Sequence, residues 1–260
     1  MIQVNKNGLR YYQFEIFNQH KIKHGVFTRF GGVSPFPYKS LNLGSTTGDS
    51  DKNVALNRKK IFDCLDLPVK SIFDVWQVHG NEIITTTNPR KLDEPHKKAD
   101  GILSNQKGIT LFMRFADCVP ILLYDPQKKI IGLVHAGWQG TVKRIIQAAI
   151  NRMKTDFDVN PDDIIAGIGP SICRDHYEVG KNVVENVSAS LPEFMDKIIY
   201  NRNNSTYFDL WKTNALLLEQ AGVTTIEMSD FCTAGNTAEW FSHRAEGEKS
   251  GRFAVLITLD

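Results

Sequence analysis

The fold is decided by residues 109–135, which read ITLFMRFADCVPILLYDPQKKIIGLVH. Three apolar segments, 109–115, 119–124 and 129–135, are short and rich in branched and aromatic residues, as β-strands are. Residues 125–128, DPQK, predict a hairpin turn between the second and third segments. The centre of the chain is therefore predicted to form a β-sheet.

Helices and strands flank this centre without a regular alternation. The other predicted elements are strands at 11–16, 22–28, 164–168 and 252–259, and helices at 51–65, 141–153 and 209–221. Residues 29–48 are rich in turn formers, and a loop of this length is more often functional than idle. This order favours an α+β fold over a parallel doubly wound one. We expect two packed mixed β-sheets flanked by helices, in a single domain spanning residues 1–260.

Composition restricts the classes of partner. The chain has 260 residues, of which 42% are hydrophobic, and its 31 basic and 29 acidic residues give a net charge of +2. This near-balance gives no electrostatic reason to expect nucleic acid or an anionic membrane as a partner. There is no apolar signal-peptide region and no apolar run near the ~18 residues of a membrane span. We expect a cytoplasmic monomer that binds neither nucleic acid nor membrane.

Two histidines and one cysteine form the first candidate site. His79, Cys118 and His135 each end an apolar run beside turn-forming residues. Two imidazoles and one thiolate hold zinc and leave its fourth position open, as in catalytic sites. The separations are wide, 39 residues (118−79) and 17 residues (135−118), so the prediction depends on the three residues converging in space. Zinc is the expected metal, and a copper site of the same ligand type is the alternative.

Three arginines are candidates for holding an anion. A guanidinium captures phosphate or carboxylate with two hydrogen bonds, and Arg29, Arg58 and Arg244 all lie near glycines or polar residues. Solvated surface charge is the alternative reading for each. Cys64, Cys173 and Cys232 lie outside any C-x-x-C pattern and are expected to be structural.

Ordered motifs along most of the chain resemble the bacterial YfiH-type, or laccase-domain, family. They include TRFGGVS (28–34), YKSLNLG (38–44), QVHG (77–80), ADG (99–101), ADCVP (116–120), HAGW (135–138), YFDL (207–210) and GRF (251–253). The resemblance implies a metal on the positions of His79, Cys118 and His135. Two departures occur: Gln139 stands where the family usually has arginine, and residues 243–245, HRA, stand where it often has Tyr-Arg-Arg.

Members of this family were long labelled multicopper polyphenol oxidases and are now regarded as purine nucleoside phosphorylases. The resemblance implies phosphorolysis of adenosine, inosine and S-methyl-5'-thioadenosine, together with deamination of adenosine. In that reaction Arg29, Arg58 or Arg244 is expected to hold phosphate, and Trp138 or Phe30 to stack on the purine. Gln77 is also assigned to substrate binding.

Three other functions remain open. A copper-dependent polyphenol oxidase is disfavoured because the chain has seven histidines and no His-x-His pair. A hydrolase would use Cys118 as nucleophile and His135 as base. A peptidoglycan editing factor is the alternative that is not a nucleoside enzyme.

Overall fold

The apolar segments of the centre form the strands that the sequence predicts. In the computed structural model, which describes residues 1–259, the strands are β1 (Ile2–Lys6), β2 (Leu9–Gln13), β3 (Lys23–Phe27), β4 (Ile72–Phe73), β5 (Ile83–Thr85), β6 (Gly101–Ser104), β7 (Thr110–Phe115), β8 (Val119–Asp125), β9 (Ile130–Ala136), β10 (Ile165–Ile168), β11 (Ile199–Arg202), β12 (Ser205–Phe208), β13 (Thr225–Met228) and β14 (Phe253–Thr258). The helices are α1 (Glu15–Gln19), α2 (Asp51–Cys64), α3 (Trp138–Val142), α4 (Ile145–Phe157), α5 (Lys181–Ser190), α6 (Met195–Ile198), α7 (Leu210–Gln220) and α8 (His243–Glu246).

Twelve of these strands form two six-stranded mixed sheets. The first sheet has the order β1-β2-β3-β14-β7-β4, and the second has the order β13-β10-β8-β9-β6-β5. The pairs β4–β7, β5–β6 and β10–β13 are parallel, and the remaining pairs are antiparallel. Strands β11 and β12 form a separate hairpin. The predicted class, α+β with two mixed sheets flanked by helices in a single domain, is confirmed.

The alternation of side chains along the strands creates one core between the sheets and one on each outer face. In β7, Leu111 and Met113 face the second sheet, where Leu122 and Leu133 meet them in one buried cluster. Phe112 points the other way and packs with α2 in a second cluster. Helices α4 and α7 cover the outer face of the second sheet. The layers are therefore α2, first sheet, second sheet, and α4 with α7.

The chain changes sheets between β7 and β8, and this crossing lies at residues 116–118. Asp117 has φ of +80°, a left-handed conformation that aspartate tolerates better than most residues. The hairpin from β8 to β9 follows as predicted, because the Asp125 carboxylate accepts the backbone N–H groups of Gln127 (2.7 Å) and Lys128 (2.9 Å). The crossing therefore brings Cys118 to one end of the sheet pair.

Two predicted elements differ from the structure. The strand predicted at 11–16 ends at Gln13, because the backbone N–H of Phe14 donates to the ring of His24 (2.7 Å) instead of to a neighbouring strand, and α1 then begins. The helix predicted at 51–65 begins at Asp51 as α2, and Ser50 caps it by accepting the N–H of Asn53. The helix predicted at 141–153 is two helices, since Arg144 has φ of +58° and binds Ser190 and Glu193 on a neighbouring segment.

Among residues 1–259, no helix is long and apolar enough to cross a membrane.

Residues 29–48 form no helix or strand, as predicted. Backbone hydrogen bonds and side-chain amides together hold the loop. Asn57 on α2 donates to the carbonyl of Asn42 (2.9 Å) and accepts the N–H of Val33 (2.8 Å). These contacts fix the loop against the first sheet.

A buried carboxylate with three basic partners lies beside β4. Asp74 binds Arg90 (2.7 Å), His96 (3.0 Å) and Arg114 (3.2 Å), and its side chain is fully buried. Burial alone raises the pKa of Asp74, but the hydrogen bond from His96 and the charge of Arg114 hold that pKa well below its usual range.

Removing the charge of Asp74 is expected to destabilise the fold. Asp74→Asn leaves Arg90 and Arg114 without their buried counter-charge and is predicted to cost about 3–5 kcal/mol in the free energy of unfolding. Denaturant unfolding measures this, with Asp63→Asn in an exposed pair with Lys59 as control, where a few tenths of a kcal/mol are expected. Equal midpoints for the two variants would contradict the prediction.

Candidate metal centre and its cavity

The three predicted metal ligands meet at the end of the sheet pair. His79 lies in the loop after β4, Cys118 directly precedes β8, and His135 lies on β9. One ligand atom from each residue lies within 4.8 Å of the other two, and the imidazole centroids of His79 and His135 are 5.0 Å apart. The structure thus brings together residues up to 56 positions apart (135−79) in the arrangement that the prediction required.

One buried carboxylate, that of Asp100, positions both histidines. Asp100 lies just before β6 and accepts the backbone N–H groups of Val78 (3.2 Å), His79 (3.0 Å) and Gly80 (2.6 Å). Its Oδ1 also lies 2.8 Å from Nδ1 of His135. A carboxylate on one ring nitrogen of a histidine is the usual partner of a metal ligand, because it leaves Nε2 free to bind.

Cys118 and His135 form a charged couple. Burial raises the pKa of the Cys118 thiol, but the charge of His135 and hydrogen bonds from His135 and His79 lower it to about 6. Burial lowers the pKa of His135, while the Cys118 thiolate and Asp100 raise it to about 9. A thiolate is therefore favoured at Cys118, and the thiolate is the form that binds a metal or acts as a nucleophile.

Gly137 leaves the space in which the ligands approach one another. A Cβ at this position would lie 2.8 Å from Sγ of Cys118 and 3.0 Å from Cδ2 of His79. The backbone of Gly137 is ordinary, with φ of −74° and ψ of 171°, so the requirement for glycine is steric. This explains why a residue without a side chain directly follows the strand that carries His135.

Asp117 ties the crossing between the sheets to two other segments. Its carboxylate accepts the hydroxyl of Thr233 (2.6 Å) and the backbone N–H of Arg244 (2.6 Å). Its backbone carbonyl accepts the N–H of Ile172 (3.0 Å). Asp117 therefore holds Cys118 in place, and both of its carboxylate oxygens are occupied.

The ligand cluster opens into a cavity of about 580 Å³, a volume in the range of small-molecule sites. Three arginines and three aromatic residues contribute to its wall: Arg114, Arg244, Arg252, Trp76, Trp138 and Tyr177. The long loop contributes Gly44 to Thr46. Gln139 and His243, at the positions where the chain departs from the family pattern, also line it.

Of the predicted substrate residues, Gln77, Trp138 and Arg244 line this cavity. The side-chain amide of Gln77 donates to the carbonyl of Arg114 on β7 (2.8 Å) and accepts the backbone N–H of the same residue (3.1 Å). Gln77 therefore extends the hydrogen bonding at the sheet edge. Arg244 donates from Nη1 to the carbonyl of Glu178 (2.9 Å) and lies over the ring of Tyr177. These contacts hold the guanidinium group of Arg244 at the cavity wall.

Arg29, Arg58 and Phe30 are not among the described residues that line the cavity. Arg29 donates to the carbonyl of Thr237 (2.6 Å) and to Glu246 (2.8 Å), and it stacks on Phe241. Arg58 is half-buried on α2, and desolvation lowers its pKa. Their assignment to phosphate stays a prediction, and the structure does not bring either arginine to the metal ligands.

Sequence reasoning missed Asp100 as a positioning residue and Arg114 and Arg252 as cavity residues. Arg114 carried a signal, since it is a lone charge in the apolar run ITLFMRF (109–115). Its Nη1 binds Asp74 and its Nη2 donates to the carbonyl of Val75 (3.0 Å). Asp100 carried no local signal, because its partners lie at distant positions.

Comparisons with known proteins show relatives that extend over nearly the whole chain. Residues 23–260 match the family described as multi-copper polyphenol oxidoreductase laccase. The purine nucleoside phosphorylase YlmD of Bacillus subtilis (strain 168) is 35% identical over 251 residues, which cover 93% of this chain and 90% of that protein. A purine nucleoside phosphorylase of Deinococcus radiodurans is 34% identical over 239 residues, covering 92% and 89%. The crystal structure of a hypothetical protein YfiH from Bacillus licheniformis superposes with a TM-score of 0.91 at 32% identity, covering 97% of each chain.

Filling the space beside Gly137 is expected to damage the candidate metal site selectively. Gly137→Ala should weaken zinc binding by about 10–100-fold, because the new methyl group displaces Cys118 or His79. A competition titration with a chromogenic chelator measures the affinity. Gly180→Ala is the matched control, since no heavy atom lies within 4 Å of its added Cβ. Equal zinc affinities in the two variants would show that Gly137 does not limit the approach of the ligands.

Proposed function

This chain belongs to the YfiH-type laccase-domain family, and on that premise we propose that it is a zinc-dependent purine nucleoside phosphorylase. The proposed substrates are adenosine, inosine and S-methyl-5'-thioadenosine, with inorganic phosphate as second substrate and adenosine deamination as a side activity. The cytoplasmic location, the monomeric state and a catalytic unit spanning residues 1–260 stay predictions.

A single observation carries the proposal: one cavity holds the three-ligand cluster together with cationic and aromatic side chains. Phosphorolysis needs a held anion, a stacked base and a site from which water is excluded. Arg114, Arg244 and Arg252 supply positive charge, and Trp76, Trp138 and Tyr177 supply aromatic faces. A volume of about 580 Å³ suits a nucleoside with phosphate beside it.

The residues of the cavity have separable tasks in this proposal. When the C–N bond of a nucleoside breaks, positive charge develops on the ribose and negative charge on the departing base. Phosphate held by the guanidinium groups attacks the sugar, and its charge stabilises the developing cation. Trp138, which is half-buried beside Gly137, stacks on the purine and orients it toward the ligand cluster.

The donor set of the cluster fits zinc. Two imidazoles and a thiolate are the ligands of catalytic zinc sites, and Asp100 supplies the outer partner that such histidines require. A zinc ion bound there supplies a Lewis acid next to the purine. Copper accepts the same ligands. An assay of phenol oxidation by the copper-loaded protein therefore distinguishes the oxidase named in the family description from the phosphorylase.

A second candidate function rests on the Cys118–His135–Asp100 series of contacts. A thiolate beside an imidazolium that is oriented by a carboxylate is the arrangement of a nucleophilic cysteine hydrolase. Metal binding and nucleophilic attack compete for the same sulfur. If bound zinc protects Cys118 from alkylation while the protein remains fully active, the hydrolase is excluded.

Product analysis tests the reaction. Zinc-loaded protein with adenosine is expected to yield adenine and ribose 1-phosphate only when phosphate is present, and inosine reports deamination. Cys118→Ala removes one proposed ligand and is expected to lower both activities at least about 100-fold. Cys64 is buried and does not line the cavity, so Cys64→Ala is the control and is expected to keep both activities. Ribose 1-phosphate formed at the wild-type rate by metal-free Cys118→Ala would refute the assignment.

A paired comparison identifies the arginine that holds phosphate. Arg244→Ala is expected to raise the KM for phosphate by about 10–100-fold with little change in the KM for adenosine, because a charged hydrogen bond is lost. Arg58→Ala is expected to leave both constants unchanged in the folded protein, since Arg58 does not line the cavity among the described residues. The reverse result would assign phosphate to Arg58, one of the three arginines that the sequence offered for this role.

A further inference from the structure

A second cluster of thiols and imidazole lies outside the site already described. Cys173 and His176 follow β10, and Cys232 follows β13, 59 positions after Cys173 along the chain. One ligand atom from each of the three lies within 4.8 Å of the other two. Of the residues that the structure describes, this is the only such grouping apart from His79, Cys118 and His135.

Backbone hydrogen bonds hold the two segments of this cluster together. The N–H of Ser171 donates to the carbonyl of Phe231 (3.2 Å), and the N–H of Thr233 donates to the carbonyl of Ser171 (3.1 Å). A parallel bridge between Ser171 and Cys232 thus brings the backbones of the two cysteine segments together.

The distances suit a metal ion with tetrahedral coordination. Nδ1 of His176 lies 3.2 Å from Sγ of Cys173 and 3.4 Å from Sγ of Cys232. Nitrogen and sulfur ligands of one zinc ion stand about 3.5 Å apart, given metal distances of about 2.0–2.1 and 2.3 Å. A shift of a few tenths of an ångström is enough to admit the ion.

Two further observations indicate ligand groups rather than packing. Sγ of Cys232 accepts the backbone N–H groups of Cys173 (3.3 Å) and Gly235 (3.3 Å), which stabilise a negative sulfur. A Cβ at Gly235 would lie 2.9 Å from Cε1 of His176, so the absence of a side chain makes room for the imidazole. His176 is exposed and both cysteines are half-buried, so a cation can reach them.

We propose that Cys173, His176 and Cys232 form a second site that binds one thiophilic divalent cation of the zinc type. Two thiolates and one imidazole select such a metal over Mg²⁺ or Ca²⁺, which prefer oxygen. This site is separate from the cavity cluster and does not depend on the proposed phosphorolysis.

The second site acts on the wall of the cavity. The carbonyls of His176 and Glu178 both accept hydrogen bonds from Nη1 of Arg244. Tyr177, which lies between these two residues in the sequence, lines the cavity. A bound metal links this segment to the segment around Cys232 and so restrains Arg244. The role that these contacts give to metal at the second site is therefore structural support of the cavity wall.

Metal titration of the full-length protein, reduced and stripped of metal, tests this. Wild type is expected to bind about two equivalents of zinc, and Cys118→Ala, Cys232→Ala and His176→Ala about one each. Cys64→Ala is the control and is expected to bind about two. His176 is exposed, so its replacement separates loss of the metal from loss of the fold.

Cobalt in place of zinc identifies the site that remains in each variant. The near-ultraviolet charge-transfer absorption increases with the number of thiolates on cobalt. Cys118→Ala is therefore expected to retain a two-thiolate spectrum, and His176→Ala to retain the one-thiolate spectrum of the cavity cluster. In the Cys118→Ala protein, zinc should also slow alkylation of Cys173 and Cys232.

Two results would overturn the second site. One is binding of a single equivalent by wild type that disappears in Cys118→Ala and is unchanged in Cys232→Ala and His176→Ala. The other is alkylation of Cys173 and Cys232 at the same rate with and without zinc in the Cys118→Ala protein.

Discussion

The geometry of the cavity depends on the carboxylate of Asp100. Burying a charge is costly unless it is paired and hydrogen-bonded, and this carboxylate accepts three backbone N–H groups and faces the ring of His135. The hydrogen bond from His135 opposes the effect of burial and holds the pKa of Asp100 below its usual range. One side chain thereby fixes a loop that carries His79 and the ring orientation of His135. Without the Asp100 carboxylate, the imidazoles of His79 and His135 would lose the residue that positions both of them.

The position of this carboxylate follows from strand pairing. Gly101 on β6 pairs with Val134 on β9, and the backbone N–H of His135 donates to the carbonyl of Asp100 (2.7 Å). Cys118 reaches the same point from the other direction, where the chain crosses from the first sheet to the second. Two of the candidate metal ligands, Cys118 and His135, therefore lie at the ends of paired strands, and the third, His79, lies on a loop held by Asp100. A site supported by strand ends is more rigid than one built on loops alone.

The sequence predicted those features that have a local physical cause. The strands at 109–135 and their hairpin follow from apolar runs and an aspartate turn, and Asp209 caps α7 as expected. Local pattern did not reveal the break at Arg144, because its left-handed backbone is stabilised by contacts with Ser190 and Glu193. Convergence of Cys173 with Cys232 was missed for the same reason: the bridge that joins them links distant parts of the chain. Of the cavity arginines, Arg244 was predicted from its polar neighbours, Arg114 carried a signal because its charge interrupts a strand, and Arg252 was missed.

The two histidines differ sharply in exposure, and under the proposed metal binding this difference sets the order in which the ligands are reached. His135 is 4% exposed and Cys118 is half-buried, whereas His79 is exposed on its loop. An ion that enters from solvent would meet His79 before His135. Its uptake and release would then depend on the loop that carries His79, which three hydrogen bonds to Asp100 hold in place.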